Sequence, residues 1–152
     1  MKNEFEPLVS VIILNYNAGN LLSECIESVL KTDYEKFEII IVDNDSKDDS
    51  VDRCKEKFRD VQIIENKKNL GYCEGNNVGI RNAKGEFIAI LNPDTVVDSN
   101  WLKELIKGYE IFGDGMYQPR FLTTNNHKIL QGTGNMINLF GFGFARNKGD
   151  ID

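Results

Sequence analysis

Histidine occurs once and cysteine three times in this chain of 152 residues. His127 lies in a polar stretch, where a solvated ring is expected rather than a catalytic one. Cys25, Cys54 and Cys73 are odd in number and widely spaced, with no Cys-x-x-Cys pair. Cys25 and Cys54 fall on apolar helical positions and read as buried thiols of a reducing compartment. Positive charge is also short: 18 Lys and Arg face 24 Asp and Glu, a net charge of -6. Such a chain has no basic face with which to displace counterions, which argues against nucleic acid as a partner. No apolar run reaches membrane-spanning length, and Leu8–Leu14 is too short for a signal peptide's core followed by a cleavage site. A cytoplasmic protein is expected. Neither Gly-x-x-x-x-Gly-Lys-Ser/Thr nor Gly-x-Gly-x-x-Gly follows the first strand, so P-loop and dinucleotide folds lose support. No internal repeat or low-complexity segment is present.

What the chain does have is alternation. Val9–Leu14 is a β-branched run expected to be a central strand. Leu21, Leu22, Cys25, Ile26, Val29 and Leu30 then recur at helical spacing, with Asn17 or Asn20 as the expected cap. Phe37–Val42 is a second buried strand, followed by a thinner helical stripe of Val51, Cys54 and Phe58. Val61–Ile64 is a short third strand. The helix expected after it ends near Ala83, with Gly85 as its stop, although Gly75, Asn76, Asn77 and Gly79 all disfavour helix. A local rule broken so openly marks a functional or close-packed site. Phe87–Leu91 is an unbroken apolar run, expected to be a central strand buried on both faces. A helix opened by Asp98 or Ser99 follows, carrying Trp101, Leu102, Leu105, Ile106, Tyr109 and Phe112 on one face. Strand and helix thus alternate four times, which predicts an α/β fold with a Rossmann-like, open, mostly parallel sheet and helices on both faces. Beyond Gly115 the pattern dissolves into two short strands, Met116–Leu122 and His127–Gly134. The final Phe140, Phe142 and Phe144 are expected to stand exposed, with self-association as a consequence. The expected division is 1–135 and 136–152, the latter the start of another region or a disordered tail.

Open α/β sheets bind ligands beyond the carboxyl ends of their strands. Four such ends are polar here: Asn15-Tyr16-Asn17, Asp43-Asn44-Asp45-Ser46, Asn66–Gly71 and Asn92-Pro93-Asp94-Thr95. Two of them place a carboxylate close behind the apolar run. A nucleoside diphosphate asks for such a rim, because its base and ribose need hydrogen-bond partners and its diphosphate needs a cation. Asp43 could accept from base or ribose. Asp94, fixed behind Pro93, could hold a divalent cation against phosphate oxygens. Lys67 and Lys68 could approach a diphosphate, though a lysine pair in a loop is usually only surface.

These stretches, in this order, resemble the nucleotide-binding part of family-2 glycosyltransferases of the glycosyltransferase A (GT-A) fold. The matching pieces are Val-Ser-Val-Ile-Ile-Leu-Asn-Tyr-Asn from Val9 and Ile-Ile-Val-Asp-Asn-Asp-Ser from Ile40. Asn-Leu-Gly-Tyr-Cys-Glu-Gly-Asn-Asn-Val-Gly-Ile from Asn69 and Leu-Asn-Pro-Asp-Thr from Leu91 complete the set. The resemblance spans about residues 9 to 135. It implies that Asp43 contacts the nucleoside of a nucleotide-diphosphate sugar with Asn15 and Tyr16 beside it, and that Asn17 and Asp45 also contact this substrate. Asn69, Gly71, Gly75 and Asn77 would border the donor, beside Asn92. Asn92-Pro93-Asp94 stands where the family has Asp-x-Asp, so Mn²⁺ or Mg²⁺ would keep one charged protein ligand, Asp94. This variant is similar to that of relatives transferring rhamnose and other deoxysugars. No Glu-Asp-x-Asp-like stretch follows Gly134, so the family's catalytic base is expected beyond this chain. The implied reaction is an inverting, metal-assisted sugar transfer to a glycan or lipid-linked acceptor, at the inner face of the membrane or in the cytoplasm. Two alternatives stay open: a module that binds nucleotide sugar without turnover, and a sugar-phosphate nucleotidyltransferase, which would want a basic Gly-rich loop after the first strand.

Overall fold

The computed structural model describes residues 5–123, 125–133, 135–137 and 143–152, with only the backbone at 127, 135–137 and 143–145. Its first compact unit runs to Leu102 and its second from Lys103.

The first unit is a four-stranded parallel sheet in the order β3-β2-β1-β4. β1 (Val9–Asn15) is central and buried along its whole length. On one side it pairs with β2 (Phe37–Asp43), from Val9 against Phe37 to Asn15 against Asp43. On the other it pairs with β4 (Phe87–Leu91), with Ile13 opposite Leu91. β3 (Gln62–Glu65) lies outside β2 and brings Glu65 level with Asp43. Register therefore lines up three of the polar strand ends read from the sequence.

Three helices follow the first three strands. α1 (Asn20–Val29) buries Leu22, Cys25, Ile26 and Val29. α2 (Ser50–Lys57) buries Ser50, Val51 and Cys54 and packs against α1. α3 (Gly71–Asn82) covers the sheet face made by Ile12, Leu14, Ile40 and Val42. Its glycines are explained by that contact. A Cβ on Gly79 would meet Ile12 Cγ2 at 2.6 Å, and one on Gly75 would meet Leu14 Cδ1 at 2.5 Å. Helix propensity has been given up for close approach.

Several expectations are corrected. β4 is the edge of the described sheet, not a central strand, and Ile88 and Ile90 are 40% and 43% exposed. An apolar run records burial potential but not how many neighbours the strand acquires. Neither Asn17 nor Asn20 caps α1. Its N-cap is Gly19, with φ +59° and no side-chain cap, and the Gly19 N–H itself donates to the Asp48 carboxylate at 2.8 Å. Gly85 is not a helix stop, since α3 ends at Asn82 and Ala83 is extended. Gly85 is instead a close approach: a Cβ there would lie 2.5 Å from the Ser10 backbone nitrogen.

α4 (Trp101–Phe112) begins where the Asp98 carboxylate accepts the Asn100 N–H at 2.9 Å. In the second unit, β5 (Phe121–Thr123) pairs antiparallel with β6 (Asn126–Gly132), and β7 (Asn135–Ile137) with β8 (Gly143–Ala145). Met116–Arg120 is not strand. Gly134, Phe140 and Phe142 lie outside the described residues, as do the side chains of His127 and Phe144.

Candidate donor-binding site

The site is built from the ends of β1 and β2. Asn15 is fully buried at the end of β1, and its Nδ2 donates to Asp43 Oδ1 at 2.8 Å, Ser50 Oγ at 2.9 Å and Ser46 Oγ at 3.1 Å. Asp43, 5% exposed, collects further bonds from its own turn. Ser46 N–H donates to Oδ2 at 3.0 Å and the Ser46 hydroxyl to Oδ1 at 2.6 Å. The carboxylate is therefore buried but well solvated by protein, as a buried charge must be. Oδ2, with one bond from Ser46, keeps acceptor capacity to spare.

Around this floor the loops interlock. Asn17, with φ +54°, donates its N–H to Ser46 Oγ at 2.9 Å and accepts the Lys47 N–H on Oδ1 at 2.7 Å. Asp45, with φ +66°, pairs with Lys47 at 2.6 Å. Asp48 fastens the other end of the loop, binding Gly19 N–H and the Ser50 hydroxyl. Burial pushes its carboxyl up, but the Ser50 hydroxyl, the Gly19 and Ser50 amides and Arg53 outweigh it and hold it below the usual aspartate value.

Beside the floor lies a cleft of about 260 Å³ lined by Leu14, Tyr16, Asn44, Asn69, Gly71, Tyr72, Asn92 and Pro93. Tyr16 and Tyr72 are 51% and 59% exposed, so two aromatic rings meet solvent along the lining of one small polar cleft. Of the residues expected from sequence, Tyr16, Asn69, Gly71 and Asn92 line this cleft, and Asn15 and Asp43 belong to the buried network at the strand ends. Gly75 is buried against Leu14, and its smallness serves packing. Asn77 is exposed on α3, its amide donating to Glu74 at 3.3 Å, and it does not line the cleft. Asn44, Ser46 and Tyr72 stood only within stretches quoted from the sequence, and Asp48 and Ser50 were not singled out by sequence reasoning.

Asp94 is exposed, two residues past Asn92. The loop carrying it is held by α1: Cys25 Sγ donates to Asn92 O at 3.6 Å, and the Val97 N–H donates to Ser28 Oγ at 3.1 Å. Burial, with Asp94 nearby, pushes the Cys25 thiol up to about 12 despite a backbone hydrogen bond at Thr95. That thiol is structural. A more open groove of about 510 Å³ between α1 and α2, lined by Asn20, Glu24, Arg53 and Lys57 among others, lies away from the strand ends. Its two basic side chains are paired locally, Arg53 with Asp49 and Lys57 with Glu27.

The Glycosyl transferase family 2 profile matches residues 10–149. The chain belongs to that family. Glycosyltransferase GlyG of Streptococcus pneumoniae is 37% identical over 101 residues, covering 64% of this chain and 34% of that protein. An uncharacterized glycosyltransferase of Rickettsia typhi is 35% identical over 105 residues, covering 69% and 33%. The chain thus spans about a third of the length of these relatives. Among solved structures, a mannosyltransferase of Pyrobaculum calidifontis in complex with GDP-Man and Mn²⁺ superimposes with a TM-score of 0.64 at 27% identity, covering 70% of this chain and 33% of that one. Staphylococcus aureus TarS residues 1–349, in complex with UDP, gives a TM-score of 0.63 at 25% identity, covering 73% and 38%. The family's GT-A fold is therefore the fold of this chain's parallel sheet.

Proposed function

We propose that this chain is the donor-binding part of a glycosyltransferase, with residues 1–135 forming the nucleotide-sugar subdomain. The observation that carries this is Asp43, a buried carboxylate fixed by Asn15 and Ser46, at the strand ends beside a cleft bordered by Tyr16 and Tyr72. Such an acceptor suits the ring N–H of a base or a ribose hydroxyl, and the exposed rings suit a planar base. Relatives bound to GDP-Man and to UDP support a nucleoside diphosphate as the ligand.

The residues also fit a divalent cation. Among the described residues no three His, Cys, Asp or Glu side chains gather into an all-protein cage. Mg²⁺ and similar ions are commonly held by one or two carboxylates together with substrate phosphates. Asp94 would supply that carboxylate, with Asn92 beside it in the cleft lining. When bound, the ion would neutralise charge gathering on the leaving diphosphate. A net charge of -6 makes some local neutralisation necessary.

In the transfer itself the acceptor hydroxyl gives its proton to a general base and attacks the anomeric carbon on the face opposite the diphosphate, whose bond to that carbon breaks as the nucleoside diphosphate leaves, giving inversion. This chain's part is to hold the donor still, which lowers the entropic cost of displacement. Asp45 is engaged by Lys47 and is assigned no proton-transfer role. The acceptor is a glycan or lipid-linked glycan, met at the cytoplasmic face of the membrane. Among the described residues no helix is long and apolar enough to cross one.

Titration calorimetry with uridine, thymidine and guanosine diphosphate sugars tests the donor assignment and sorts the base, thymidine being the outcome that favours a deoxysugar donor. Released diphosphate in the presence of candidate glycans tests turnover. Saturable binding of one base over the others is expected. Absence of binding to all three contradicts the reading.

A further inference from the structure

The donor cleft has one wall made by the loop between β3 and α3, and a single buried side chain holds that loop. Asn44 follows β2 directly and is 2% exposed. Its Oδ1 accepts from Asn66 Nδ2 at 2.9 Å and from the Leu70 N–H at 3.5 Å. Its Nδ2 donates to Gly71 O at 3.0 Å and to Asn69 Oδ1 at 3.3 Å. A carboxamide has two donors and two acceptor positions, and all are committed to this loop. The same Asn69 Oδ1 accepts the Gly71 N–H at 2.8 Å, so the turn that opens α3 is closed around the amide. α3 leaves room for it, because a Cβ on Gly75 would come within 2.9 Å of Asn44 Nδ2.

We propose that Asn44 is a positioning residue of the donor cleft, holding the 66–71 loop so that Asn69, Gly71 and Tyr72 stand as the wall facing Tyr16 and Asn92. This deepens the donor-site reading and rests on it. The chemistry is specific to an amide. Aspartate is nearly isosteric but donates nothing, and it would set a carboxylate against the Gly71 carbonyl and Asn69 Oδ1. Its neighbour Asp43 works the opposite way, accepting only. The two adjacent side chains at the end of β2 therefore divide the site between them: Asp43 is tied to β1 and its own turn, and Asn44 to the β3–α3 loop.

The test uses Asn44→Asp, with Asn66→Ala as a second variant should the first fail to fold, since Asn66 bonds the amide without lining the cleft. Two readouts are taken on folded protein. Amide hydrogen exchange should speed up at Leu70 and Gly71 by tenfold or more, while β1 amides such as Ile12 stay protected. Affinity for the uridine, thymidine or guanosine diphosphate that binds best, with Mn²⁺ present, should fall about tenfold, roughly 1.4 kcal/mol. Tyr72→Ala should then cost much less in the Asn44→Asp background than in the wild type, because the ring no longer stands in place. Additive effects, or unchanged exchange at Leu70 and Gly71 in both variants, overturn the proposal. If the wild type binds none of the diphosphates, the donor-site reading fails and the positioning role falls with it. Normal nucleotide binding by Asn44→Asp overturns the positioning role alone.

Discussion

The Asn15 amide donates to the Asp43 carboxylate at 2.8 Å, across the last paired register of β1 and β2. Two strand ends are locked together by the side chain that this account assigns to nucleoside recognition. Asp43 therefore has a structural role beside the binding role proposed for it, and its variants must be read on both scales.

Asp43→Asn should lower nucleoside diphosphate affinity by about 1.5–3 kcal/mol, the worth of a hydrogen bond to a charged group. It should also lower stability, because an amide nitrogen would face the donors of Asn15 and Ser46. Ser46→Ala removes one of those donors and leaves the carboxylate, so it should destabilise with a smaller loss of affinity. Calorimetric titration well below the melting range, beside denaturant unfolding, separates the two effects.

Asp94→Asn should behave differently. The residue is exposed, so stability should stay within about 0.5 kcal/mol of wild type. The affinity gained on adding Mn²⁺ or Mg²⁺ should disappear, and affinity in EDTA should be unchanged. Parallel titrations with and without the cation measure this.

Gly79→Ala should destabilise although alanine favours helix by about 1 kcal/mol over glycine. Its Cβ would meet Ile12 Cγ2 at 2.6 Å, an overpacking that typically costs about 1–3 kcal/mol. Urea unfolding should show a net loss. A gain would mean that α3 lies farther from the sheet.

The glycines of α3 show how far the sequence could be read. Their violation of helix propensity was visible, but it was consistent with a ligand or a close packing, and only the placement of Ile12 and Leu14 decides for packing. β1 and β2 were legible because their β-branched runs are buried on both faces. The edge position of β4 was not, since Phe87–Leu91 is equally apolar and its neighbours are fixed by distant chain. The polar strand ends were legible as a rim. Asn44 and Asp48 were not, because each acts on a loop far off in sequence, through bonds that no local spacing encodes.

Asp48 gives a pH dependence. Its carboxyl is held below the usual value in the folded chain, through Ser50, Gly19 and Arg53 acting against burial. A lowered folded value means stabilisation that is complete above the ordinary aspartate range, about 4, and lost as pH falls through the lower folded value. Asp48→Asn should therefore be less stable than wild type at pH 6, and the gap should narrow at a second, acid pH below the ordinary aspartate range. Unfolding curves at the two pH values check the sign.

Thiol chemistry should follow burial. Cys73 is exposed, whereas Cys25 and Cys54 are buried with their thiols pushed up by burial. A chromogenic disulfide reagent should titrate one thiol in the native chain and all three in denaturant. Rapid native reaction of Cys25 would mean that the loop over it, from Asn92 to Val97, opens readily.

The most direct measurement is the melting temperature with uridine, thymidine or guanosine diphosphate, each with Mn²⁺ and with EDTA. At a hundredfold excess over its dissociation constant, the bound diphosphate should add about 2.7 kcal/mol, raising the melting temperature by several degrees, and the shift should be larger with Mn²⁺. Equal shifts with Mn²⁺ and EDTA would remove the cation from the account. No shift with any of the three would contradict the donor site itself.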